Sequence, residues 1–351
     1  MMRGKPNPLL AVPERFVQAY AAFASESWRR SLGLGARYLG RAATIAAEAA
    51  TVRQPESDLM RMALRGAANA AAELATVPFA AYGEALGAWE RTGASRRAAG
   101  GSALHTVEGR AVMLPLRFGR ARQGWALYTV DPWQAGEALA AHGLDGAFEV
   151  WPFGGKAMLI LYGIDFIETD LGAYQEIGVE LWAKPRGQRG AVPGIVTLAM
   201  AVNPADSIAP ARVIWNFDKR HAPRMTVAYE AHRAIFTLDA ADPSAFSLDL
   251  PRFGAMRSTR VPVRYLTPAP HGGGVLCGVL ERSAAGEGVQ FGGAVGLRVG
   301  DWGFRTLSGS GTADTGKALR ALGLEAIAPY ANGWAEHMSG EMRAPYAVSD
   351  G

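Results

Sequence analysis

The sequence predicts an α+β protein, with an α-helical N-terminal segment over residues 1–95, a linker over 96–105 and a mainly antiparallel β barrel over 106–351. Three observations predict it. The first segment is Ala-rich with apolar residues at helical spacing. An aperiodic Gly, Ser and Arg strip follows. After that strip the chain becomes a series of short β-branched and aromatic runs separated by Gly, Pro, Asp or Asn.

In the first segment Ala favours helix because it loses no side-chain entropy on folding. Phe16, Tyr20 and Phe23 fall at i, i+4 and i+7, which makes one apolar stripe. Gly33 and Gly35 end that helix, and a second runs from Ala36 to Ala50. Gln54-Pro55 stops it, and a third carries Leu59, Met62, Ala63, Ala67 and Ala70 up to Pro78. A short fourth covers Ala80–Glu90. Small residues on the apolar faces allow close helix packing, or docking to a lipid or polymer surface. The composition resembles that of the Ala-rich helical proteins that coat polyhydroxyalkanoate granules. Residues 92–104 read as an exposed strip.

The second segment offers strands at Ala111–Leu116, Gly124–Val130, Phe148–Phe153, Ala157–Phe166, Ile177–Lys184, Ile195–Val202, Met225–Tyr229, Ala234–Leu238, Val261–Leu266, Val275–Leu280 and Val289–Val299. Helices interrupt at Trp133–His142, Ser207–Phe217, Gly316–Leu322 and near Ala328–Met338. No alternating βαβ rhythm and no internal repeat is present, so an antiparallel sheet or barrel is the expected architecture.

Composition narrows the function classes. At 351 residues, 49% apolar and 19% charged, the chain is ordinary globular protein, long enough to bury a core without staples. Cys277 is the single cysteine; it lies in an apolar run, reads as a buried thiol and fits a reducing, cytoplasmic setting. The apolar stretch Leu9–Val12 is too short for a signal core, and no run is long enough to span a membrane. Of the 36 Lys+Arg and 32 Asp+Glu, 13 and 8 fall in residues 1–105, so the basic excess belongs to the N-terminal third. That excess reads as a solvated helix face or a contact for an anionic surface. The nine Trp do not interleave with a basic stripe, and nucleic acid is not an expected partner. The six His show no metal-ligand spacing. Gly311–Ala318 approaches a P-loop, but Ala318 stands where a Mg²⁺-binding hydroxyl is needed. It reads as a Gly-rich turn that opens a helix. No metal and no cofactor are expected.

Three landmarks carry the chemistry. Pro115–Phe118 and Tyr128–Asp131 precede the helix at Trp133–His142. Asp170-Leu-Gly-Ala-Tyr-Gln-Glu176 leads into a strand. Asp206–Arg220 includes Arg212 and ends Phe217-Asp218-Lys219-Arg220. In this order and spacing, over roughly residues 110–270, the chain resembles the acetoacetate decarboxylase superfamily. In that family a helix bearing an Arg ends in aromatic-Pro-Lys-Lys. The resemblance implies a cone-shaped or barrel-like sheet around an apolar pocket, a homo-oligomer, a small oxo-acid ligand and Schiff-base chemistry without a cofactor. It makes Lys219 the nucleophile, activated when burial or an adjacent cation lowers its pKa, as in acetoacetate decarboxylase itself. Arg220 would be that cation, and Glu176 the active-site glutamate. Arg120 and Arg122 flank the position of the substrate-carboxylate arginine, which falls on Ala121. Trp215 and Phe217 would line the pocket. The family's second carboxylate falls on Leu161, and Asp218 replaces the family's proline, where a carboxylate beside Lys219 would raise its pKa. Two functions are therefore carried forward. One is an oxo-acid enzyme working through an iminium at Lys219, by decarboxylation or a related aldol or dehydration step. The other is a non-catalytic ligand-binding or scaffold protein that docks through residues 1–95.

Overall fold

The computed structural model describes residues 102–152, 155–188, 191–239, 241–242, 244–252, 257–270, 274–291, 295–302, 304–305 and 312–348. The helical segment read over 1–95, and the linker up to residue 101, lie outside the described residues. The strands begin at Ala103, inside the span read as linker.

Along the chain, β1 (Ala103–Val107) and β2 (Arg110–Leu114) form a hairpin. Next come β3 (Leu116–Val130), α1 (Pro132–Ala141), β4 (Phe148–Val150), β5 (Ala157–Thr169), β6 (Tyr174–Pro185) and β7 (Gly194–Asn203). Then follow α2 (Ile208–Trp215), β8 (Lys219–His221), β9 (Thr226–Tyr229), β10 (Arg233–Thr237) and β11 (Phe246–Pro251). The rest is β12 (Arg257–Pro268), β13 (Val275–Phe291), β14 (Gly296–Val299), β15 (Phe304–Arg305), β16 (Thr312–Ala313), α3 (Thr315–Ala321), β17 (Ala331–Met342) and β18 (Tyr346–Val348).

Seven strands close into a mixed barrel in the order β6-β5-β3-β17-β13-β12-β7, with β7 pairing back to β6. Every pairing in the ring is antiparallel except β12 with β7. Closure removes the free edges that an open sheet would expose. A separate four-stranded sheet, β14-β11-β10-β9, supplies Phe236, Leu248 and Leu250 to one apolar cluster with Leu161, Ile177 and Val179 of the barrel wall. A second cluster on the other face holds Tyr162, Ile164, Met200, Trp215 and Phe217. Alternation along each strand assigns residues to the two faces, so Leu161 and Tyr162 point to opposite sides. Side chains from β5, β6 and β12 converge on the second face (below), which makes it the inner one.

The mainly antiparallel barrel that the sequence predicts is present, and two expectations are corrected. Ala328–Met338 is not helical; from Ala331 onward it lies in β17, paired on both sides with β3 and β13. Two ladders override the helical preference of its Ala, Glu and Met residues, because propensity is weaker than sheet pairing and burial. Val289–Val299 is not one strand but the end of β13 and, separately, β14. Asp314 caps α3 by accepting from the Lys317 amide at 2.7 Å, so the P-loop-like segment does open a helix. Cys277 is fully buried. Among the described residues, no helix is long and apolar enough to cross a membrane.

Candidate active site

Lys219 owes its position to a helix end. α2 stops at Asn216, whose φ of 56° is left-handed, a conformation Asn tolerates better than most residues. The Asn216 side chain donates to the Pro268 carbonyl at 2.8 Å, and the Trp215 indole to the Arg343 carbonyl at 2.8 Å. The chain then reverses into β8, which lies parallel to β7 with Lys219 opposite Met200. Arg212 donates to the Lys219 carbonyl at 3.3 Å. The helix, its Arg and the turn thus hold the backbone of one lysine.

Only 6% of Lys219 is exposed. Its Nζ lies 2.6 Å from Glu176 Oε2 and 3.5 Å from the Tyr174 hydroxyl, and it sits 4.8 Å from the centre of the Tyr174 ring. Tyr162 donates to the other carboxylate oxygen, Glu176 Oε1, at 2.9 Å. Tyr162 is opposite Gly178 in the β5–β6 ladder, and any side chain at 178 would collide with its ring. Glycine there lets Tyr162 lie across β6 and reach Glu176. Burial pulls the Lys219 pKa down, but Glu176 and then Tyr174 outweigh it, and the net direction is up. In this arrangement Lys219 is an ammonium ion paired with a carboxylate.

Position 218 behaves differently from the sequence expectation. Asp218 pairs with Arg220, at 2.7 Å to one carboxylate oxygen and 2.9 Å to the other. Within β8, Arg220 takes the opposite face from Lys219, and Asp218 lies just before the strand. The carboxylate in contact with the amine is Glu176, whose charge raises the Lys219 pKa; Asp218 and Arg220 pair with each other instead.

The other expected residues fall in two places. Trp215 and Phe217 are buried on the inner side, where Phe217 packs edge-on against Tyr265 with ring centres 5.4 Å apart. Arg120 and Arg122 line a groove of about 590 Å³ with Asp165, Tyr174, Gln175 and Asn203. Arg120 pairs with Glu168 at 3.2 Å and Arg122 with Glu336 at 3.0 Å. Between the two arginines, Ala121 is fully buried in the inner cluster. Tyr174 is common to both places: it lines the groove and contacts the Lys219 amine.

The inner face also holds charged residues that the sequence reading passed over. Glu180, 3% exposed, lies four residues after Glu176 on β6. Burial, then the Glu176 charge, raises its pKa to about 8, partly offset by the hydroxyls of Tyr265 and Tyr162. At neutral pH it is a neutral carboxylic acid. It supplies a second carboxyl group where Leu161, on the opposite face, supplies none. Arg282 makes two bonds to Glu287, at 2.6 and 3.1 Å, and the Trp125 indole donates to Glu287 at 3.1 Å. A sequence signal existed for Glu180, a charged residue inside the run Ile177–Lys184 read as strand, because buried charges need a partner or a purpose. Arg282 and Glu287 fall between the runs Val275–Leu280 and Val289–Val299, in a stretch of β13 not read as strand.

No family model matches the sequence, and no curated protein matches it. Among solved structures the chain is similar to an acetoacetate decarboxylase from Legionella pneumophila, at 16% identity and a TM-score of 0.45 over 72% of this chain and 92% of that one. It is also similar to the enduracididine biosynthesis enzyme MppR complexed with pyruvate, at 14% identity and a TM-score of 0.43 over 69% and 94%. A third is an acetoacetate decarboxylase-like enzyme from Sphingomonas wittichii, at 10% identity and a TM-score of 0.40 over 71% and 100%.

Proposed function

We propose that this protein is an enzyme that forms an iminium between Lys219 and the carbonyl of a small oxo acid, then breaks or makes a carbon–carbon bond through it. The observation that carries the reading is the buried Lys219–Glu176 pair, held between the Tyr162 and Tyr174 hydroxyls. A buried amine in hydrogen-bond contact with a carboxylate is a nucleophile beside its base. Glu176 takes a proton from the ammonium, and the neutral amine attacks the ketone carbon. Water leaves with the carbonyl oxygen, and the iminium accepts the electron pair of the bond that breaks. The enamine so formed is protonated at carbon, or attacks a second carbonyl, and water then releases the product and regenerates the amine. The raised Lys219 pKa means that the resting site is charged, so the proton shift to Glu176 must accompany substrate entry.

The test is borohydride reduction in the presence of pyruvate or acetoacetate, read as a mass increment on the peptide that carries Lys219. Labelling that is lost in Lys219→Ala supports the reading; equal labelling of the variant overturns it.

The same ion pair favours a second reading, a pocket-bearing scaffold in which Lys219 and Glu176 are purely structural. That protein would resist labelling by every oxo acid and still lose stability when either partner is removed. Assembly as a homo-oligomer, and contact with a lipid or granule surface through residues 1–95, remain proposals. Sedimentation, and partition of full-length against truncated chain, are the corresponding measurements.

A further inference from the structure

Two buried polar atoms on the inner face lack a partner among the described residues, and they lie on one rung of the barrel wall. Glu180 on β6 is directly opposite Thr197 on β7. Glu180 Oε1 and Thr197 Oγ1 are both buried and accept or donate no hydrogen bond. Buried polar atoms without partners are rare in folded proteins, and each calls for an occupant. A shift of the ladder between Val179 and Glu180 creates this rung. Because directly opposed residues share a face, it turns both side chains to the side that carries Glu176 and Lys219. Tyr265, from β12, closes the same space: its ionisation is opposed by burial and then by the charges of Glu180 and Glu176.

We propose that Glu180 and Thr197 form a recognition subsite for a neutral oxygen group, a hydroxyl or second carbonyl, carried by the compound that Lys219 engages. The inference rests on the iminium reading above and adds the substrate class, a hydroxylated or dicarbonyl oxo acid. A neutral group fits better than an anion. Among the described residues, the inner-face cations Lys219 and Arg282 are each met by a carboxylate, Glu176 and Glu287, and an anion at this rung would face the Glu180 carboxyl. With its pKa near 8, Glu180 donates and accepts at neutral pH, and the Thr197 hydroxyl does both. The pair therefore suits a hydroxyl, which also needs one donor and one acceptor.

The experiment compares borohydride labelling of Lys219 by α-ketobutyrate and by hydroxypyruvate, in which a hydroxyl replaces the methyl, with pyruvate as reference. The readout is the ratio of the concentrations giving half-maximal labelling. It is measured in the full-length protein and in Thr197→Val, which keeps the volume and removes the hydroxyl. Dividing the ratio of one protein by that of the other cancels the intrinsic reactivity of the two acids. The expected result is a preference for hydroxypyruvate at least ~10-fold greater in the unaltered protein than in Thr197→Val, with pyruvate labelling unchanged. Glu180→Met, which keeps a chain of similar length and removes both oxygens, gives a second measurement of the same ratio should Thr197→Val not fold. An unchanged ratio in the folded variants overturns the subsite and leaves the rung to ordered water. Failure of pyruvate to label the unaltered protein defeats the iminium reading instead, and the subsite with it.

Discussion

The protein carries two sets of ion pairs built from the same side-chain chemistry. On the inner face, Lys219–Glu176 and Arg282–Glu287 are buried, at 2.6 Å in each case. At the groove, Arg120–Glu168 is open to solvent, with 52% and 62% of the two side chains exposed. In water an ion pair gains little, because the solvent already stabilises each charge. In the interior each charge depends on its partner, since moving it out of water unpaired costs several kcal/mol. Charge identity therefore says little about what a residue does here; burial and partner decide it.

The largest expected effect breaks an inner pair. Glu176→Leu leaves a buried ammonium without its carboxylate, and should cost about 3–5 kcal/mol of stability at neutral pH. It should also bring the Lys219 pKa down, because burial then acts unopposed. Urea denaturation at several pH values measures both. A loss under about 1 kcal/mol would mean that the interior is wetter than its side-chain exposures suggest.

A smaller effect concerns Glu180. Its folded pKa, about 8, lies above the ordinary 4.5. Between these values the unfolded chain loses its proton and the folded one keeps it. Stability is therefore fully present below about pH 4.5 and falls by a few kcal/mol as pH rises through 8. Glu180→Gln should flatten that stretch of the pH–stability curve. If the wild-type curve is already flat across it, Glu180 is not held neutral.

The smallest effect is at the groove. Arg120→Ala should change stability by less than about 1 kcal/mol, and less again at high salt. A larger change would give that arginine a role its exposure does not suggest.

How much of the site was legible follows the same division. The third landmark located Lys219, and the Tyr-x-Glu element located Glu176, because both are local strings. The turning of Arg220 away from Lys219 was not legible, since no strand was read at 219–221 and only β8 places successive residues on opposite faces. The opposite assignment came from treating sequence adjacency as spatial adjacency. Leu161 and Ala121 show the limit of matching strands without a structure. A displacement of one residue exchanges inner for outer, and β3 carries register shifts on both sides of Arg120. No pattern in one strand reveals where its ladder shifts.

By itself, then, the sequence determined the strand-rich character of residues 106–351, the helix that precedes Lys219, and the identity of its carboxylate neighbour by resemblance. These depend on local propensity, turn chemistry and short motifs. Tertiary structure alone decided which side chains share the barrel interior. It joined Glu176 to an amine 43 residues away, set Glu180 opposite Thr197 across a shifted ladder, and left Arg120 and Arg122 in a separate groove. The reason is closure. Once seven strands form a ring, every side chain is inside or outside, and register, which no local segment encodes, assigns each to its side.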